Sequence, residues 1–222
     1  MRRWAKHAAT AVIAFSSAAA SAAQDREATR VLSDQHAAQE LGIYADCVAR
    51  QRVHDARALA LAAYGSNEAV QAADRVTRGI DDNCIQSGFD NVRLAVRPDV
   101  LAGAVAEALL RKDYADLPSV VDQAAVDAEA ERARAAQLSV AERFGRCIVW
   151  NDPAGVQAML RSPAGSQQER TAMDALKDDM GMCLQEGSTL RLNRPFVRTV
   201  AAVAAYRLAQ QLQPRGQTAE RG

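Results

Sequence analysis

Four cysteines, Cys47, Cys84, Cys147 and Cys183, are the residues whose chemistry is most tightly constrained. They are even in number, form no CxxC pair and have no histidines at metal-ligand spacing, so disulfides are expected rather than zinc or a reactive thiol. His36 and His54 lie within the segment read below as mature, and neither is accompanied by a nucleophile motif such as GxSxG, so both read as surface residues. Asp81-Asp82 and Asp178-Asp179 recur just before a cysteine, but they lack the alternating ligands and glycine of a calcium loop. No catalytic residue, metal ligand or cofactor site is therefore assigned.

The polar feature with most chemical content is an Arg-Pro element, in which Arg93 and Arg97 recur as Arg191 and Arg194 beside the start of an apolar helix. Arginines there can bind an anion with help from the positive helix end. The structural alternative, which is preferred, lays their stems on apolar surface and pairs their heads with carboxylates such as Asp81, Asp82 or Glu107. Glu107 is itself expected to pair with Arg111, one turn on. Trp150 stands where the first half has Arg50, and reads as a packing residue or a contact surface in one half alone.

The elements that must position these residues come as one unit read twice. Cys47, Ala58, Gly65, Ser66, Ala72 and Asp74 match Cys147, Ala158, Gly165, Ser166, Ala172 and Asp174. After one deletion Cys84, Gln86 and Gly88 match Cys183, Gln185 and Gly187; after a second, Arg93 matches Arg191; and after a third, Arg97, Pro98 and Val100 match Arg194, Pro195 and Val197. A unit of about 70 residues exceeds the period of solenoid repeats, so two duplicated small units are expected rather than a stacked array. The repeat favours the pairings Cys47–Cys84 and Cys147–Cys183, one staple per unit. Each is worth roughly 4 kcal/mol on the chain-entropy account of loop closure.

Each unit reads as about four helices, giving an all-α fold of two homologous units, each closed by one disulfide. Apolar residues at helical spacing mark the first helix, with Leu41, Tyr44, Cys47 and Val48 in one copy and Val140, Phe144, Cys147 and Ile148 in the other. Ser139 to Glu142 and Ser166 to Glu169 spell capping boxes, and Asp152-Pro153 a capped start. The third helix is expected to bury Val70, Ala73, Val76, Ile80 and Cys84, or Met173, Leu176, Met180 and Cys183. Gly88 and Gly187 stop it. The fourth, Pro98 to Arg111 or Pro195 to Gln210, is apolar around most of its surface and is expected to be the most buried.

Residues 1–23 have a basic head (Arg2, Arg3, Lys6), a short apolar run and a small-residue end, the pattern of a secretory signal peptide. That run is far below the roughly 20 residues needed to span a bilayer, so the mature chain is read as having no transmembrane anchor and as periplasmic or secreted. Removing the three basic residues from 27 leaves 24 against 27 acidic, a balance that does not suit nucleic acid. Residues 24–112 are assigned to the first unit, 113–138 to a solvated helical linker, 139–212 to the second unit and 213–222 to a disordered tail.

The order Cys47-Val48, Gly65-Ser66, Cys84, Arg97-Pro98 and Ala106-Glu107-Ala108-Leu109 resembles a repeat of exported bacterial proteins of unknown function. The second unit departs from it at Trp150 and at Ala204, which replaces the glutamate. The resemblance implies export and a duplicated helical unit, and supplies no activity, substrate or partner. A binding or structural module is therefore expected, acting on a protein or other envelope component. A holdase chaperone, or a hydrolase built around His54 and carboxylates, is the alternative.

Overall fold

The computed structural model describes residues 34–78, 84, 96–121, 128–187 and 189–212. The signal segment, Arg93, Asp81-Asp82, Ile80, Gly88 and the terminal tail lie outside the described residues. Among those described there are eleven helices and no strands. They are α1 (Asp34–Gln51), α2 (Val53–Leu61), α3 (Asn67–Thr77), α4 (Pro98–Asp113), α5 (Leu117–Val120), α6 (Ala128–Ala136), α7 (Val140–Asn151), α8 (Pro153–Arg161), α9 (Gln167–Ala175), α10 (Lys177–Met182) and α11 (Arg194–Leu212). Both disulfides are formed, Cys47–Cys84 and Cys147–Cys183, with Cα separations of 5.5 Å and 5.6 Å.

Helix starts follow local chemistry. Ser139 Oγ accepts from the Glu142 amide while the Glu142 carboxylate accepts from the Ser139 amide, so two donors orphaned by the first turn of α7 are satisfied. Asp152 caps α8 through the Gly155 amide, with Pro153 in the first turn, where a missing N–H costs nothing. Ser66 and Ser166 cap α3 and α9 in the same way, each behind a glycine at positive φ, Gly65 at 71° and Gly165 at 75°.

The middle of the molecule is α11, buried along most of its length from Val197 to Ala209. It lies against α4 on one side and α7 on the other. Both contacts pass through a glycine. A Cβ on Gly103 would sit 2.8 Å from Thr199 Cα, and one on Gly145 would sit 2.8 Å from the Val200 carbonyl carbon. With so few aromatic residues, the core depends on alanines and glycines that let helix backbones approach closely, and the buried cluster runs unbroken through both halves.

Several expectations are corrected. Val70 is 45% exposed, because Ala69, Ala72, Ala73 and Val76 supply the inner face of α3. The third helix of the second half is broken into α9 and α10 at Leu176, a fully buried residue close to Gly155, where the Leu176 amide bonds to Met173 in a tightened turn. Within the segment expected as a solvated linker, Tyr114, Leu117, Val120 and Val121 are buried, whereas α6 is largely exposed and meets the body through Glu131, which pairs with Arg146 of α7. An arginine that deep in the α7 interface needs a carboxylate beside it, which draws α6 onto the body.

Candidate ligand-binding cleft

Two arginines on α11 organise the polar interior. Arg198 and Arg207 lie about two and a half turns apart and so emerge from opposite faces of the helix. Arg207 donates to the carbonyls of Ala60 and Ala62 at the end of α2 and, at 2.6 Å, to Glu142. Arg198 donates to the carbonyls of Met159, Leu160 and Ser162 at the end of α8, at 3.0–3.1 Å. In the register set by Cys47 and Cys147, Ala60 corresponds to Leu160 and Ala62 to Ser162. Each arginine thus donates to carbonyls at the C-terminal end of the matching helix, where Met159 O also accepts from the Ser162 amide.

Arg198 also binds two carboxylates. It holds Glu107 of α4 through both oxygens, at 2.9 Å and 2.7 Å, and Glu169 of α9 at 2.8 Å. Arg111 extends the chain, bonding Glu107 at 2.5 Å and Asp46 of α1 at 2.8 Å. Burial by itself would lower the basicity of Arg198; the flanking Glu107 and Glu169 carboxylates outweigh it and hold the group above its ordinary range. Ser166 and Glu169 do not close the expected capping box. The Glu169 carboxylate accepts from Gly165 N instead of the capping residue, because its other oxygen is turned to Arg198.

Beside this ion-pair chain opens a cleft of about 430 Å³ between α1, α4, the Gly165 turn and the first turns of α11. Its inner wall carries Glu107, Glu169 and Arg198, and its apolar walls come from Leu41, Val100, Ala104 and Pro195. Its charged residues near solvent are Asp34, Arg170 and Arg194. The Thr199 side chain also lines it, 6% exposed, and its hydroxyl has no hydrogen bond among the described residues.

A matching hollow exists on the other side of α11, and it is nearly filled, at about 30 Å³. Ala38, Gly42, Gly103 and Ala164 of the open cleft correspond to Leu138, Glu142, Val200 and Tyr64 of the closed one, a larger side chain in every case. Among positions that line both hollows, the pair Glu107 and Ala204 runs the other way, and of those lining the open cleft alone Leu41, Glu169 and Arg198 are larger than their counterparts Ala141, Ala69 and Leu101. Tyr64 closes its hollow firmly. Its amide donates to Glu142 at 2.9 Å, its hydroxyl donates to Asp99 at 3.0 Å, and its ring meets Phe196 edge-on at 6.5 Å.

Glu142 is the hub of the closed side. Burial raises its carboxyl pKa, but the Tyr64 amide, the Arg207 guanidinium and the Ser139 cap together bring it down from 4.5 to about 2. A depressed folded-state value stabilises the fold above the unfolded value and is lost as pH falls from about 4.5 toward 2. The expected outcome is that Glu142→Gln costs about 3 kcal/mol at neutral pH and flattens the loss of stability across that window. Denaturant titrations at several pH values check this; an acid limb unchanged in the variant would contradict it.

The residues singled out from sequence are scattered. Arg97 is exposed and bonds Asp99, two residues on, at 3.0 Å and 2.7 Å, rather than Glu107. Arg191 is exposed, and Arg194 stands at the cleft. Trp150 is partly buried and packs against the core beside Arg146. His54 is exposed on α2 and does not line the cleft. Arg198 and Arg207 were missed from sequence, where the only signal was a charge recurring inside an otherwise apolar helix, and Glu169 was read as a helix-capping partner alone. Among the described residues no group of three or more His, Cys, Asp or Glu is placed to hold a metal ion, and no helix is long and apolar enough to cross a membrane. Compared with protein families, curated proteins and solved structures, the chain matches none.

Proposed function

We propose that this is an exported, duplicated helical protein of the bacterial envelope that binds a ligand in the cleft between its two homologous units and carries out no turnover. The observation that carries the reading is the set of small-for-large exchanges at corresponding positions. One hollow beside α11 is filled by Tyr64 and Glu142, while Ala164 and Gly42 leave the other open, a Cβ on Gly42 meeting nothing within 4 Å. A cleft of this size suits a small ligand or a short segment of a partner, and its mostly apolar lining with a few polar groups is what such sites require.

Duplication is supported by the paired caps, turns and staples, and by the close crossing of α4 and α11 at Gly103 and Thr199, next to the position where Val200 corresponds to Gly103. Export to the periplasm is supported by the leader pattern of residues 1–23 and by two disulfides, which persist in oxidising compartments. Binding rather than hydrolysis is supported by the inner wall of the cleft, whose carboxylates Glu107 and Glu169 are both engaged by Arg198. The test is whether protein recovered from its native envelope carries a small molecule that Ala164→Tyr excludes.

A further inference from the structure

Resting on the reading of the cleft as a binding site, we infer that its ligand is a monomeric amphipathic carboxylate, with its hydrocarbon body inside and its anionic head at the mouth. The charges on the inner wall are already spent on each other. Arg198 is engaged by Glu107, Glu169 and three carbonyls, and Glu107 is further held by Arg111. A ligand charge placed there would have to break those pairs, whereas hydrocarbon can lie against Leu41, Val100, Ala104 and Pro195 without disturbing them.

The uncommitted charge is nearer solvent. Arg194 has no hydrogen bond or ion pair from its side chain among the described residues. Arg170 donates to Gln167 and to the Gly165 carbonyl but meets no carboxylate among the described residues. Against Asp34, these two arginines leave the mouth with one excess positive charge. Arg194, Pro195, Arg198 and Thr199 share one face of α11, so an anion held by Arg194 sits one turn from the apolar wall and from the unpartnered Thr199 hydroxyl. An acyl or arylalkyl carboxylate meets all three features; a cationic amphiphile would meet repulsion at Arg194 and Arg170.

The test is calorimetric titration of the full-length, disulfide-intact protein with decanoate, decyltrimethylammonium and decanol, each below its micellar concentration, and with phosphatidylglycerol vesicles. Decanoate is expected to bind. Arg194→Gln should weaken it by about tenfold or more, as loss of a charge-assisted hydrogen bond implies. Ala164→Tyr should abolish it, and Arg191→Gln should leave it unchanged. Equal or tighter binding of the cation or the alcohol would overturn the anionic assignment while leaving the cleft as the site. Binding to vesicles but not to decanoate would overturn it in favour of a lipid surface. Silence with every probe would overturn it too, and the envelope-recovered protein then decides separately whether the cleft reading stands.

Discussion

Arg198→Met is expected to destabilise the protein by about 3–5 kcal/mol, a large part of the stability of a chain this size. The side chain is 12% exposed, and its two carboxylate partners are 13% and 4% exposed. Removing the cation leaves the buried Glu169 carboxylate without its cation, leaves Glu107 to Arg111 alone, and strips the Leu160 and Ser162 carbonyls at the end of α8 of their guanidinium donor. Denaturant unfolding at neutral pH gives the value, and a cost below about 1 kcal/mol would show the pairs to be solvent-screened. A second variant separates charge burial from packing. The counterparts of Arg198 and Glu107 are Leu101 and Ala204, so Arg198→Leu combined with Glu107→Ala writes the apolar arrangement of the other half into this one. That double variant should be less destabilised than the sum of its parts, the excess being the coupling across α4 and α11.

Loss of the disulfides has the second large effect. The staples close loops with sequence separations of 37 and 36, each worth roughly 4 kcal/mol on the loop-entropy account. Cys147 and Cys183 join the inner side of α7 to the end of α10, the short helix that begins after the break at Leu176 and buries none of its own residues. Without the bridge, α10 has little to hold it to the body. Cys147→Ala with Cys183→Ala should cost about 2–5 kcal/mol, and full reduction should remove the cooperative melt. Melting curves with and without reductant check both statements; a reduced chain melting like the oxidised one would contradict them.

The frame of the fold was legible because its determinants are local. Ser139 and Glu142, Asp152 and Pro153, and Gly165 and Ser166 act within a few residues of each other, and the pairing of the cysteines followed from the repeat. Glu107 with Arg111 followed from one-turn spacing and is present at 2.5 Å. The cleft and its polar wall were not legible, since Arg198 meets Glu107 from 91 residues away and Arg207 reaches Ala60 from 147. Neither arginine has a charged counterpart in α4, where Leu101 and Leu110 stand, so the repeat gave no cue to them. The Arg-Pro element drew attention by recurring, yet Arg97 satisfies itself locally with Asp99. Recurrence marked residues that build the fold, and departures from it marked the cleft. Gly42 against Glu142 and Ala164 against Tyr64 are visible in the sequence, but only packing reveals that they share one hollow.

The central claim is that these exchanges hold open a ligand site. The most direct measurement is to purify the wild-type protein and Ala164→Tyr from the native envelope under non-denaturing conditions, confirm that they melt alike, and identify by mass spectrometry what each releases on unfolding. A small molecule in near-stoichiometric amount is expected from the wild type, and none from Ala164→Tyr. Equal recovery from both proteins, or none from either, would contradict it.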